Sequence, residues 1–425
     1  MRILHLVHQY PPDYMGGTEL YTQTVAAAQA KAGHNVAVFC PSQADESGEM
    51  QMGVEEQGVH IYRVPLGARS RVQVFKDTFC QKCLQADLKS VLEKESPDIV
   101  HIQHLMGMPM NLAEQVAAAN IPYVVTLHDY WYVCANAQLL TNTDQTICMG
   151  PDRFAFNCSQ CALARVGRDE LLWSAPAISP LMLVRNRRLH TVLEKAGTVI
   201  APTNFVRQTY IDLGACSDNM AVIRHGIDLP NQLLETARRQ HSPPGRDKPL
   251  QIGYIGSIGW QKGVHVLIEA VNKLPQSSIQ LTIYGDLSTF PHYAAQLREM
   301  IQRPNITLSG LVSRENLWVA LADLDTVILP TLWYEVSPLT IDEVFAIGIP
   351  IVASRIGAMS EKISDGINGR LFPPGDAAAL ADILQDISVD PGLLDQWRAG
   401  IPPVRTTQEH VREIEELYQS TLDTV

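Results

Sequence analysis

The chain has 425 residues, 46% hydrophobic and 18% charged, which is material for two or three domains with sizeable cores. Lys plus Arg is 33 against 45 for Asp plus Glu, a formal net charge of −12, and this speaks against a nucleic-acid partner, whose phosphates want a basic face. No apolar run reaches the about 18 residues of a bilayer span, and Met1–Val7 is too short and too soon interrupted for a secretory signal, so a cytoplasmic enzyme is expected.

In chain order, apolar strand-like runs alternate with helix-length segments, the pattern of parallel sheets with crossover helices. The first runs are 3–7, 36–39, 99–102 and 123–127, with a helix over 18–31 closed by Gly33. A second series occupies 252–255, 281–284, 326–329 and 349–353. Between the series, Asn231 to Lys248 carries a polar, proline- and glycine-containing stretch that reads as a linker. Near-continuous apolar strands imply burial on both faces. Two doubly wound α/β domains follow, with ligands expected at the carboxyl ends of the strands and in a cleft between the domains.

Four features of the first half stand out. Gly16 and Gly17 follow the first strand and open its helix, where a bare backbone can approach a ligand. His128 lies just past the strand ending at Leu127, and His101 and His104 end the strand before it. Cys134, Cys148, Cys158 and Cys161 crowd into 28 residues with a Cys-x(2)-Cys pair, a spacing suited to one structural zinc ion; a disulfide, free thiols or an iron–sulfur cluster are the alternatives. Leu181–Leu189 sets Arg185, Arg187 and Arg188 beside apolar residues, either a solvated helix face or a peripheral contact with anionic lipid.

In the second half, Gly256–Gly263 runs from a strand into a helix and carries Lys262, an anion site or a tight turn with an exposed lysine. Ser337 reads as an N-cap and Pro338 as the first residue of a helix running to about Gly348. Glu335 then precedes that helix and Glu343 lies within it, buried and in need of a hydrogen-bonding partner, which could be a local Arg or Lys. Asp323 and Asp325 form an Asp-x-Asp pair, but before a strand, at the edge away from the expected ligand.

The E-x(7)-E spacing of Glu335 and Glu343 resembles retaining glycosyltransferases of family four, with the GT-B fold. Gly226-Ile227-Asp228, Lys262-Gly263, Gly310 and 366–376 recur in the same order, so the resemblance covers nearly the whole chain. It implies two Rossmann-like domains facing each other: 1–228 on the acceptor side, with the Cys-rich insertion at about 134–161; 229–405 for the nucleotide sugar; and a helix over 406–425 returning to the first domain. The implied reaction moves a sugar from a nucleoside diphosphate donor, UDP or GDP type, to a hydroxyl of a glycan, a lipid-linked molecule or a small molecule. No catalytic metal is expected. By resemblance, Lys262 meets the diphosphate, Glu343 the ribose, and Glu335 the transferred sugar. Backbone around Pro338, Leu339 and Thr340 meets phosphate, and the base lies near Val312 and Asp286. Ser257 stands where many relatives carry Arg. Gly16, Gly17 and His128 would serve the donor and acceptor from the first domain, at the inner face of the membrane if the acceptor is a lipid. Rival readings are a nucleotide-sugar epimerase of the same fold and a non-catalytic nucleotide-sugar binder.

Overall fold

The structure, a computed structural model, describes residues 1–43, 49–54, 57–215, 218–228, 249–275, 278–313 and 316–424. The expected linker at 231–248 lies outside them. The chain divides into two units, Met1–Gly226 with Thr407–Val425, and Ile227–Thr406.

The first unit is built on β1 (Arg2–Leu6), β2 (Asn35–Ser42), β3 (Gln51–Val54), β4 (His60–Pro65), β5 (Ile99–Ile102), β6 (Tyr123–Thr126), β7 (Thr198–Ala201) and β8 (Met220–Val222). Their order is β3-β4-β2-β1-β5-β6-β7-β8, parallel except for the β3–β4 pair at one edge. β5 and β6 are buried along their whole length, as parallel strands covered on both faces must be. β3 escapes a reading by apolar runs because it is short and mostly exposed. The strand order reverses at β1, between β2 and β5, so ligand chemistry is expected just past the ends of β1, β5 and β6.

The second unit is an all-parallel sheet of β9 (Leu250–Ile255), β10 (Ile279–Tyr284), β11 (Ile306–Gly310), β12 (Thr326–Leu329), β13 (Ile351–Ser354) and β14 (Gly369–Phe372), in the order β11-β10-β9-β12-β13-β14. Two separate apolar clusters accompany it. One packs Leu267, Leu297 and Leu384 of three helices with Ile283 and Ile328; the other packs Leu321, Ile341 and Val344 of two helices with Val327 and Ile351. Here the switch point falls between β9 and β12. The helix after β12 runs Leu339–Ala346, one residue later than expected, with Pro338 as its cap and no side-chain hydrogen bond to it. Pro338 biases its predecessor toward extended backbone and is itself extended, so Ser337 stays outside the helix and does not cap it.

The final helix, Thr407–Asp423, packs on the first unit through Ile414 and Tyr418, against Ile3, Ile99 and Val124. The Tyr418 hydroxyl accepts from Gln29 Nε2 (3.3 Å) and meets His101 Nδ1 (2.5 Å), all buried. Tyr418→Phe strands both partners away from water, so chemical denaturation of the variant should show a loss of about 1–3 kcal/mol.

Candidate active site

The second unit gathers its charge where β9 and β12 end. After β9 the chain forms a 3₁₀ turn, Trp260–Lys262, and Gly263 enters the next helix in a left-handed conformation (φ +69°). A Cβ on Gly263 would sit 1.9 Å from the Pro330 carbonyl oxygen, so only glycine fits there. This close crossing brings Lys262 to the residues after β12. Lys262 Nζ donates to Glu335 Oε1 at 2.6 Å and lies 5.3 Å from the centre of the Trp333 ring. The same oxygen accepts from Trp333 Nε1 (2.8 Å) and Thr331 Oγ1 (3.3 Å). Three donors on one oxygen stabilise a carboxylate that is 8% exposed. Trp333 and Thr331 were not legible as site residues, because only the fold turns them toward Glu335.

Glu343 is buried on the 339–346 helix, one position from Asp342, which takes the nearby cation: Lys362 Nζ lies 2.5 Å from Asp342 Oδ2. Leu339 and Thr340, both half-buried, open that helix directly after Pro338. Ser257 is exposed, and its carbonyl accepts from the Tyr254 hydroxyl (2.7 Å). Val312 packs at the edge of the second apolar cluster. Asp286 closes its own turn, accepting from Ser288 N (2.8 Å), Ser288 Oγ (2.6 Å) and Thr289 Oγ1 (2.6 Å), bonds that hold its carboxyl down at about 2. Asp325 accepts from Gln251 N (2.7 Å) at the opposite, amino-terminal edge of β9.

In the first unit, Gly16 caps the Gly17–Lys31 helix, and a Cβ on it would meet Glu19 Oε2 at 2.4 Å. Glu19 is buried 3.5 Å from His8 Nε2, and burial raises its carboxyl above the usual range. His8 stacks near His104, with ring centres 4.3 Å apart, and His104 Nε2 donates to Asp129 Oδ2 (3.0 Å). Glu19 and His8 went unnoticed in the sequence, although a carboxylate three residues into a glycine-capped helix is a usable signal.

His128 heads a chain of polar groups running back through the sheet. Its Nε2 donates to Gln103 Oε1 (2.8 Å), and Gln103 Nε2 donates to His5 Nδ1 (3.1 Å). His5 Nε2 then donates to Gln29 Oε1 (2.8 Å), and Gln29 leads through Tyr418 to His101, whose Nε2 donates to Thr126 Oγ1 (2.7 Å). With the two amides oriented in this way, every interior member has one donor and one acceptor assigned, and His128 keeps its Nδ1 lone pair outside the chain. His101 and His104 have both ring nitrogens engaged within the unit, which leaves neither a nitrogen for an acceptor. Burial lowers His128 to about 3 and His5 to about 4, and pushes His8 and His101 well below their usual value.

The four clustered cysteines are free thiols. Cys158 and Cys161 lie on the Phe156–Arg165 helix, and Cys161 Sγ accepts from Asn142 N (3.3 Å) and Nδ2 (3.2 Å). Among the described residues no group of three or more His, Cys, Asp or Glu is arranged to hold a metal ion, yet the four thiols are neighbours: burial, then Cys134, Cys148 and Cys161, push Cys158 up to about 12. Hydrogen bonds and ring contacts hold the insertion. Asp152 accepts from the backbone N–H groups of Phe154, Phe156 and Asn157, and Arg185 donates to the Trp131 carbonyl (2.5 Å) with its guanidinium over the Trp131 ring. Arg185 therefore faces inward, not toward lipid or solvent.

Comparison with known proteins agrees with this architecture. Residues 16–226 match the glycosyl transferase 4-like domain and residues 236–401 match glycosyl transferases group 1. A glycogen synthase of Mycobacterium tuberculosis is 25% identical over 96% of this chain and 91% of its own length. A D-inositol 3-phosphate glycosyltransferase of Xylanimonas cellulosilytica is 25% identical over 93% of this chain and 89% of its own. Among solved structures, sucrose-phosphate synthase from Thermosynechococcus elongatus superposes with a TM-score of 0.73 at 20% identity, covering 100% of this chain and 99% of that one. Anabaena HepE in complex with UDP and glucose gives 0.64 at 18% identity, with the same coverage. The chain is a glycosyltransferase of the GT-B fold. It belongs to the group 1 and family 4-like glycosyltransferases.

The neutral histidines set a pH dependence. A histidine whose pKa is lowered by folding takes up its proton only on unfolding, so stability is full above the unfolded value near 6.5 and falls as pH drops toward the folded values. Calorimetry in buffers of different ionisation enthalpy at pH 5.5 should find roughly three to four protons taken up on unfolding through His5, His8, His101 and His128. His101→Gln should lower that uptake.

Proposed function

We propose that the chain is a retaining glycosyltransferase that takes a nucleoside diphosphate sugar as donor, without a catalytic metal, and passes the sugar to a hydroxyl acceptor. The Lys262–Glu335 pair beside the 339–346 helix carries this reading. A cation and a helix N-terminus at the carboxyl edge of a parallel sheet suit a diphosphate, whose leaving-group charge grows in the transition state. On this reading the diphosphate takes Lys262 from Glu335, and the freed carboxylate accepts from hydroxyls of the transferring sugar. Glu343 accepts from the ribose. HepE, solved with UDP and glucose, supports a donor of the UDP class by analogy. His128, held neutral by burial and oriented by its chain of partners, is assigned to the sugar as a hydrogen-bonding group rather than a general base. Gly16 and Gly17 offer backbone to the phosphate or acceptor. Asp325, tied to Gln251 at the far edge of β9, is poorly sited for a donor-bound metal ion.

Steady-state kinetics separate these roles. Lys262→Ala should lower kcat about 30- to 900-fold, or about 2–4 kcal/mol of barrier, with the fold intact. Glu343→Gln should mainly raise the donor KM, since the ribose does not change during reaction, whereas Glu335→Gln should mainly lower kcat. Recovery of an altered nucleotide sugar without acceptor, and without net release of the nucleoside diphosphate, would assign an epimerase instead. Inversion at the anomeric carbon of the product would remove the retaining reading.

A further inference from the structure

The helix Ala175–Glu194 turns the wrong kind of face to water. Its buried side is ordinary: Ser179, Met182, Arg185, Asn186, Leu189 and Val192 repeat at helical spacing against the first unit. The opposite side should then be polar. Instead, Trp173 just before the helix is 79% exposed, and Leu181, Leu183 and Val184 are 42, 42 and 46% exposed, with Pro176, Ala177 and Pro180 exposed between them. At about 100° per residue these positions fall on one stripe, which runs for more than two turns and ends in exposed Arg187 and Arg188. The neighbouring insertion adds to it. Pro151 and Asp152 share a cavity with Leu183 and Arg187, and Phe154, whose carbonyl accepts from Ser179 Oγ, is 50% exposed. Met149 is 83% exposed.

The geometry points to a lipid-docking face, in which this stripe lies in the headgroup boundary of an anionic bilayer. A convex helix face with a tryptophan at one end and arginines at the other fits an interfacial plane better than a groove-shaped partner. Charge singles out the same place. Residues 149–188 hold six arginines and three carboxylates (Asp152, Asp169 and Glu170) in a chain whose net charge is −12. Arg168 is partly answered by Glu170 at 3.3 Å, and Asp152 is spent on helix capping, while Arg153, Arg187 and Arg188 stand exposed. A peripheral contact of this kind would place the enzyme beside a lipid-linked acceptor, although the inference does not depend on the acceptor's identity.

The test is co-sedimentation of the full chain with phosphatidylglycerol–phosphatidylcholine vesicles, compared with phosphatidylcholine alone. The expected result is at least about tenfold stronger partitioning onto the anionic vesicles at low salt, lost as salt rises. Arg187→Glu with Arg188→Glu, and separately Trp173→Ser with Leu181→Ser, should each weaken it about tenfold or more while transfer to a soluble acceptor is unchanged. Vesicles should also blue-shift the tryptophan emission in the wild type, and this shift should shrink in the Trp173 variant. Absence of binding, or binding undiminished in both folded variants, overturns the proposal. A dimer in sedimentation equilibrium that dissociates in the Trp173 variant, without vesicle binding, overturns it too and gives the face to a second copy.

Discussion

Lys262 Nζ and Glu335 Oε1, 2.6 Å apart and mostly out of water, hold each other at the carboxyl edge of β9 and β12. Removing one partner of such a pair leaves the other charge buried and uncompensated, so the surrounding structure must supply both together. It does so by one crossing of two loops. Gly263 lets the chain after β9 pass against Pro330, Thr331 and Trp333 add two further donors to Glu335, and the two apolar clusters accompany the sheet that supports both loops. On the proposed function, a diphosphate would replace the carboxylate as the partner of Lys262 without leaving either charge unanswered, because Glu335 keeps the Thr331 and Trp333 donors.

The first unit meets the same physical demand with neutral groups. A row of histidines and glutamines buried in a parallel sheet would be costly if charged or unpaired. The chain from His128 to Thr126 assigns one donor and one acceptor at each step, and its histidines are neutral. Tyr418 of the last helix is a link in this chain, so the orientation of His128 depends on a residue 290 positions away in sequence.

Much of this was legible in the sequence, for reasons that differ by element. β5 and β12 are short, mostly apolar runs, and their ends were read correctly. Glu335, Glu343 and Lys262 carry a spacing and an order that point to one family. Other features depend on three-dimensional partners and leave no local mark. β3 takes its place by pairing with β4; Gln103 matters because β5 and β6 are neighbours; and Trp333 matters because of where Lys262 arrives. Arg185 shows the reverse. Its neighbours in sequence suggested a basic surface, but helical phase turns it inward beneath Trp131. The four cysteines, far apart in parts of the sequence, are brought near enough to act on one another's charge.

The most direct measurement is a crystal structure of the chain with UDP or GDP bound. The diphosphate oxygens are expected to accept from Lys262 Nζ and from the backbone at Leu339 and Thr340, the ribose to donate to Glu343, and the Lys262–Glu335 contact to lengthen or break. A well-ordered nucleotide whose diphosphate lies away from Lys262, with Lys262 still paired to Glu335, would contradict this.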